Sequence, residues 1–218
     1  MKNVKQVIVK NLSKGSLYLF VVLLLSVMLA CSSDDDGNGD VGSDGFDGSI
    51  ESVEEFYTPE LVSSLEDLGF NINEGGSPPN IEGTYLSSPL VLEASTVPGD
   101  PEGSTFNDFT STFSNLNVDE LTVDFLGDQN SSSSVGDGSL VSGSNGQFTV
   151  YLKTDTQNQG SVVVSSALVI SGTLTNEGIE NFQLAALMLD DKGDPDDVYI
   201  DNNTGRLFED GDGLSPSN

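Results

Sequence analysis

The sequence predicts a mainly β protein: an antiparallel meander of about eight strands that closes into an up-and-down barrel, preceded by one short helix. Apolar and polar residues alternate from Ile81 onward, as in strands with one buried face. Turns rich in Gly, Asn and Asp separate the alternating runs. No pattern of helix length interrupts them, which excludes βαβ units and therefore a parallel sheet. A β-sandwich is the alternative fold, although it usually needs longer crossovers than these short connections.

One helix is predicted over residues 58–68, before the first strand. Thr58 can cap its N-terminus, and Pro59 suits the first helical position. One apolar stripe follows at helical spacing: Leu61, Leu65 and Leu68. Gly69 then ends the pattern. This helix is too short to form a domain, and we expect it to cover the sheet.

The segment QFTVYLKT, residues 147–154, shows the strand pattern most clearly. One face carries Phe148, Val150 and Leu152, and the other carries Thr149, Tyr151 and Lys153. Five phenylalanines are expected to point inward: Phe109, Phe113, Phe125, Phe148 and Phe182. These rings are bulky enough to fill an eight-stranded barrel. Three small residues would leave space if they also point inward: Ser111, Ser166 and Gly172.

Residues 1–30 are predicted to be a processing segment. Four lysines precede the apolar run LYLFVVLLLSVMLA, which has the length of a signal-peptide core and is short for a membrane span. The run ends in Met28-Leu29-Ala30-Cys31, which resembles the lipobox of bacterial lipoproteins. The resemblance implies cleavage between Ala30 and Cys31 and acylation of Cys31, so that the lipid bilayer becomes a partner of the chain. The alternative is an uncleaved N-terminal anchor helix.

Residues 31–50 begin with the only cysteine and continue as an acidic, flexible tether. After Cys31 this tether contains six Asp, five Gly and four Ser, and it offers little that could be buried. The stretch CSSDDD resembles export signals of lipoproteins of the Bacteroidota, which implies an outer-membrane location facing the cell exterior. The periplasmic face is the alternative. Residues 51–218 are expected to form a single domain.

The charge and the composition argue against several classes of function. All 35 acidic residues follow Cys31 together with only three basic ones, Lys153, Lys192 and Arg206, which gives a net charge of −32. Such a surface repels phosphate backbones, so nucleic acid is not expected as a partner. The chain has no His, and its one Cys is assigned to lipid, so neither a Ser-His nor a Cys-His pair is available.

We therefore expect a protein that is not an enzyme, has no catalytic residues and needs no cofactor. A carboxylate pair of the glycosidase kind remains open, but no two of the acidic residues are marked out for it.

Acidic residues also crowd the region near the C-terminus. Asp194, Asp196 and Asp201 are weak calcium candidates, because dense carboxylate oxygens suit this ion. The spacing does not match a calcium loop: with Asp201 first, Arg206 occupies the position where the loop glycine belongs. A solvated acidic turn is the favoured interpretation.

The segment PPNIEGTYLSSP, residues 78–89, together with the closing GRLFEDGDG, resembles a group of surface lipoproteins of the Bacteroidota. Gly83-Thr84-Tyr85 also resembles the first strand of the calycins, the lipocalin-like barrels, in which Trp usually occupies the aromatic position. The calycin resemblance implies a small apolar ligand inside the barrel.

Two functions are consistent with these features. The first is a surface-tethered, non-catalytic binding module for a small apolar ligand. The alternative is a structural or adhesive surface protein with a packed barrel, whose loops contact a partner. An open apolar cavity would favour the first function, whereas a solid core would favour the second.

Overall fold

The computed structural model describes residues 45–130, 132–156, 163–194 and 199–218. The predicted signal segment, the predicted cleavage and lipidation residues Ala30 and Cys31, and most of the predicted tether lie outside these residues. No helix in the described part of the chain is long and apolar enough to cross a bilayer.

Among the residues that the structure describes, two short helices precede the sheet, whereas the sequence predicts one. The first, α1, spans Ile50–Phe56 and is capped by Ser49, whose Oγ accepts a hydrogen bond from the Ser52 amide. Asp47 accepts hydrogen bonds from the hydroxyl and the amide of Ser49, and these bonds lower the pKa of Asp47. Helical structure therefore begins within the last residues of the range predicted as tether.

The second helix, α2, spans Pro59–Asp67 and lies where the sequence predicts a helix over residues 58–68. Thr58 Oγ1 accepts a hydrogen bond from the Leu61 amide at 3.2 Å, as expected of an N-cap. Gly69 follows the helix with a φ of +88°, a left-handed conformation that ends helices and suits glycine. Local chemistry thus accounts for both ends of α2.

Eleven strands follow in the described part of the chain and form one antiparallel sheet. They are β1 Gly83–Ser87, β2 Leu90–Ser95, β3 Thr105–Phe106, β4 Phe109–Asn117, β5 Thr122–Gln129, β6 Ser132–Ser144, β7 Gln147–Thr156, β8 Val164–Leu174, β9 Gly178–Asp190, β10 Gly205–Asp210 and β11 Leu214–Pro216. The mainly β, antiparallel fold class is confirmed, whereas the expected count of about eight strands is wrong. Two of the additional strands, β3 and β11, have only two and three residues, too few to show an alternation.

The hydrogen-bonded order is β1-β4-β5-β6-β7-β8-β9-β10-β2-β3, with β11 paired to β9. Strands β4 to β10 follow one another as a meander should, but β1 and β2 lie toward opposite ends of this path. Only Ser88 and Pro89 connect β1 to β2, and a linker of this length spans roughly 10 Å at most. The two ends of the path must therefore lie close together, which requires the sheet to curl.

The sheet is an open, curled half-barrel rather than the closed barrel that the sequence predicts. Its terminal strands, β1 and β3, share no ladder in the described part of the chain. Instead, β11 pairs with Gly178–Glu180 of β9, and an isolated bridge joins Ser217 to Tyr85 of β1. The Asn218 amide also donates to the Thr84 carbonyl at 2.9 Å. The C-terminus thus fastens β1 to β9, whose neighbours β10, β2 and β3 extend beyond this junction.

Both faces of the sheet are buried over its central strands. The inner face holds one hydrophobic cluster, to which every strand from β4 to β10 contributes. The outer face holds a second cluster, in which residues of α1 and α2 such as Val53 and Leu65 pack on β6 to β10. Thr149 and Tyr151, which alternate with inward-facing residues on β7, are therefore fully buried as well. The helices explain why period-two alternation does not separate buried from exposed residues on these strands.

Candidate functional site

Side chains fill the interior of the curled sheet. The five phenylalanines expected to point inward are at most 6% exposed and belong to one hydrophobic cluster: Phe109, Phe113, Phe125, Phe148 and Phe182. The ring centroid of Phe113 lies 5.5 Å from that of Phe125 and 6.1 Å from that of Phe148. Aromatic rings attract one another at such separations. The five phenylalanines expected to point inward therefore belong to one buried cluster, in which Phe113 packs against Phe125 and Phe148.

The small residues on the inner face do not leave an open space around them. A β-carbon at Gly172 would collide with the side chain of Ile179, so this glycine marks a close contact. Ser111 is fully buried, and its Oγ has no hydrogen-bond partner within the described residues. Ser166 is half-buried, and its Oγ lies 4.0 Å from Met188 Sδ. Neighbouring side chains therefore occupy the room that these residues were expected to leave.

A hydrogen-bond network on the outer face connects the N-terminal segment to the sheet. Tyr57 Oη donates to the Leu152 carbonyl at 2.9 Å. Ser142 Oγ donates to the Asn73 carbonyl at 2.6 Å and lies 2.8 Å from Tyr151 Oη, which donates to it. Burial raises the pKa of both tyrosines, so their hydroxyls stay protonated. These phenols are structural donors and are not suited to acid–base chemistry.

The three basic residues of the domain all contact groups of the protein itself. Arg206 donates from Nε and Nη2 to the two carboxylate oxygens of Asp100, at 2.6 and 3.2 Å, and the hydrogen bonds lower the pKa of Asp100. Lys192 pairs with a neighbouring aspartate. Lys153 Nζ lies 4.6 Å from the ring centroid of Phe56, a cation–π contact. Most of the acidic side chains therefore have no counter-charge from the basic residues that the structure describes.

The weak calcium candidates are only partly described. Asp196 lies outside the described residues. Asp194 Oδ2 accepts a hydrogen bond from the Tyr199 amide at 2.6 Å, and the Asp201 carbonyl accepts one from the Thr204 amide. Within the described ranges, no three His, Cys or acidic side chains come together as a metal site. The described part of this region therefore has the hydrogen bonding of a turn.

A groove of about 610 Å³ lies between the N-terminal segment and the ends of β7 and β8. Its polar lining includes Glu66, Asn71, Glu74, Gln147 and Asn181. Phe70 also borders the groove, but this side chain is buried. Carboxylates and amides make such a groove a poor environment for an apolar ligand.

Comparison of the chain with family models, curated proteins and solved structures gave no match. The resemblance to lipoproteins of the Bacteroidota and to calycins therefore stays a prediction.

Proposed function

We propose that the chain is a lipid-anchored surface lipoprotein whose folded domain is a non-enzymatic structural or adhesive module. In this proposal the domain contacts a partner from its outer surface and does not enclose a small apolar ligand. The observation that carries the proposal is the filled interior: Phe113, Phe148 and Phe182 are at most 2% exposed. A ligand at their position would have to displace well-packed rings, which is unfavourable.

The anchor in this proposal rests on the sequence. The stretch MLAC ends an apolar run at the only cysteine, and an acidic tether follows. Two or three acyl chains hold a protein on a bilayer almost permanently, whereas one chain holds it only marginally. A domain of net charge −26 on such a tether is repelled by anionic headgroups and is free to meet other partners.

Native mass spectrometry of the purified protein tests the proposal. The expected mass is that of the processed polypeptide with its acyl chains and nothing further. A stoichiometric apolar molecule that co-purifies with the domain would overturn the proposal and would restore the small-ligand function.

Thermal unfolding in the presence of benzene provides a second measurement with a built-in control. The melting temperature of the wild type should not change, because benzene would have to displace buried rings such as Phe113, Phe148 and Phe182. Phe148→Ala removes a fully buried ring and should create an apolar void of the kind that binds benzene. Benzene should therefore raise the melting temperature of this variant alone.

A further inference from the structure

Strands β6 and β7 separate along half of their length. The ladder between them runs from the pair Ser144–Gln147 to the pair Leu140–Tyr151 and ends there. The earlier part of β6 pairs with β5, and the later part of β7 pairs with β8. In the described part of the chain, Ser132–Ser139 of β6 and Leu152–Thr156 of β7 therefore form no ladder with each other. We call these two strand edges the β6–β7 fork.

A bulge explains why the strands separate at this point. The register between β5 and β6 shifts between Val123 and Phe125, so that β6 contains an extra residue there. Gly138 lies at the shift with a φ of +64°, and its amide donates to Asp124 Oδ1 at 2.9 Å. Bulges bend the strand that carries the extra residue and increase its twist. The bulge thus lies next to the point where the ladder between β6 and β7 ends.

Exposed apolar side chains lie on both sides of the β6–β7 fork. The large hydrophobic residues that are exposed in the described part of the chain are Phe106, Val118, Leu126, Val135 and Val163. Leu126 and Val135 are direct partners across β5 and β6, and Val163 immediately precedes β8. A cleft of about 150 Å³ at the closed end of the fork is bordered by Val135 and Phe56. Apolar surface and unpaired strand edges are thus adjacent.

We propose that the β6–β7 fork binds an extended, Lys- or Arg-containing segment of a partner protein, which adds to the sheet as a strand. This proposal rests on the proposed function and names the partner of the same domain. Unpaired strand edges offer main-chain donors and acceptors to an added strand, and neighbouring apolar side chains select alternate residues of that strand.

Charge decides which kind of strand fits the fork. Asp155 lies on the β7 arm of the fork, and Asp124 and Asp128 lie on β5, the strand that pairs with the β6 arm. Lys153, the basic residue on the β7 arm, already lies over the Phe56 ring. A second copy of this domain would bring a further net charge of −26 to the interface, and the two copies would repel each other. A basic segment is complementary to the same surface.

The test uses the full-length chain in detergent and a fluorescent peptide of alternating pattern, KVTVKVTVK, with empty micelles as the blank. We expect saturable binding in fluorescence anisotropy. Two control peptides should not bind: one has Glu in place of each Lys, and the other is N-methylated at alternate residues and cannot donate from its backbone. If the N-methylated peptide binds as well as the parent peptide, the added-strand geometry is wrong.

Two matched variants locate the binding site. Val135 is 59% exposed in the fork, and Val118 is 54% exposed outside it, so neither substitution disturbs the core. Val135→Lys should weaken peptide binding at least tenfold, and Val118→Lys should leave it unchanged. Hydrogen exchange should show that the peptide protects amides of residues 132–139 and 152–156. Protection elsewhere, or equal effects of the two variants, would overturn the proposal.

The oligomeric state distinguishes the occupants of the fork. Sedimentation should show a monomer with and without the peptide. A dimer that the peptide dissociates would assign the fork to a second copy and would overturn the partner proposed here. If the peptide does not bind, the fork proposal fails, but the packed interior still supports the proposed function. A co-purifying apolar ligand would refute the proposed function without altering the peptide result.

Discussion

Ser215 Oγ donates a hydrogen bond of 2.6 Å to Asp210 Oδ2, and both residues are buried. Ser215 Oγ also lies 2.7 Å from the hydroxyl of Ser87, so that the ends of β1 and β10 are joined through β11. Burial raises the pKa of Asp210. A titratable carboxyl group therefore lies where the C-terminal strand fastens the first strand to the sheet.

Asp210→Asn should change how stability depends on pH. Because the folded-state pKa of Asp210 lies above the ordinary value of 3.8, the folded protein binds this proton more tightly than the unfolded chain does. The resulting stabilisation is fully present below the unfolded pKa and is lost as the pH rises through the folded pKa. The asparagine side chain of the variant does not titrate. Its free energy of unfolding should therefore fall less than that of the wild type between about pH 4 and about pH 7. Urea unfolding at the two pH values measures this difference.

Ser215→Ala provides the opposite change at the same site. The hydrogen bond from Ser215 lowers the pKa of Asp210 and so opposes the effect of burial. Without that bond the pKa should rise further, and the loss of stability toward neutral pH should be larger than in the wild type. If the stability of the wild type and of both variants depends on pH in the same way, Asp210 does not contribute to the pH dependence of stability.

Ser111→Ala and Ser142→Ala should have opposite effects on stability. Both serines are fully buried, but Ser111 Oγ has no partner within the described residues, whereas Ser142 Oγ bonds to Asn73 and Tyr151. Removing the unpaired hydroxyl should leave the free energy of unfolding unchanged or raise it by up to about 2 kcal/mol. Removing the paired hydroxyl should lower it by about 1–3 kcal/mol. Urea unfolding measures the free energy of unfolding of both variants. A clearly lower value for Ser111→Ala than for the wild type would contradict the expectation.

The inner face of the sheet could be predicted from the sequence, because it depends only on alternation along single strands. Phe109, Phe113 and Phe148 occupy the positions that the period of two assigns to them. The order of the strands could not be predicted in the same way, since alternation does not specify which strand is the neighbour. The separation of β1 from β2 and the open sheet are consequences of long-range pairing.

The outer face was harder to predict because two helices cover it. A signal for α1 was present: Ile50, Val53 and Tyr57 recur at helical spacing after the capping Ser49. The preceding Asp- and Gly-rich stretch conceals this short pattern. The β6–β7 fork has a weaker sequence signal, namely the glycine Gly138 inside a strand, which is typical of a bulge.

Gly138→Ala and Gly143→Ala should differ strongly in their effect on stability. Both glycines have positive φ, +64° and +152°, which disfavours other residues. Apart from its two chain neighbours, no described residue has an atom within 4 Å of a β-carbon at Gly138, so the cost there should be the backbone strain alone, about 1 kcal/mol. A β-carbon at Gly143 would collide with the Gln147 carbonyl, and the loss should exceed about 3 kcal/mol or prevent folding. Denaturant unfolding compares the variants, and equal losses would contradict the packing around Gly143.

Cys31→Ser should abolish lipidation if MLAC is a lipobox. The hydroxyl cannot replace the thiol as the acceptor of the diacylglyceryl group, so the precursor should remain uncleaved before residue 31. Incorporation of labelled fatty acid and the mobility of the protein on a denaturing gel measure the two effects. A variant that is still labelled and processed would refute the anchor. Serine at position 33 offers a control, because Ser33→Ala should change neither labelling nor processing.

Outward display depends on the anchor, the tether and the charge of the domain together. Anionic headgroups should repel a domain of net charge −26 within about a Debye length, near 8 Å at physiological salt, so the domain is expected to stand off the membrane. The leaflet is a separate question, which the likeness of CSSDDD to an export signal assigns to the cell exterior. Protease treatment of intact cells should therefore cleave the wild type. In a triple variant with Ala in place of Asp34, Asp35 and Asp36, the domain should remain protected from the protease. Protection of the wild type would place the domain in the periplasm and would refute the export signal without refuting the anchor.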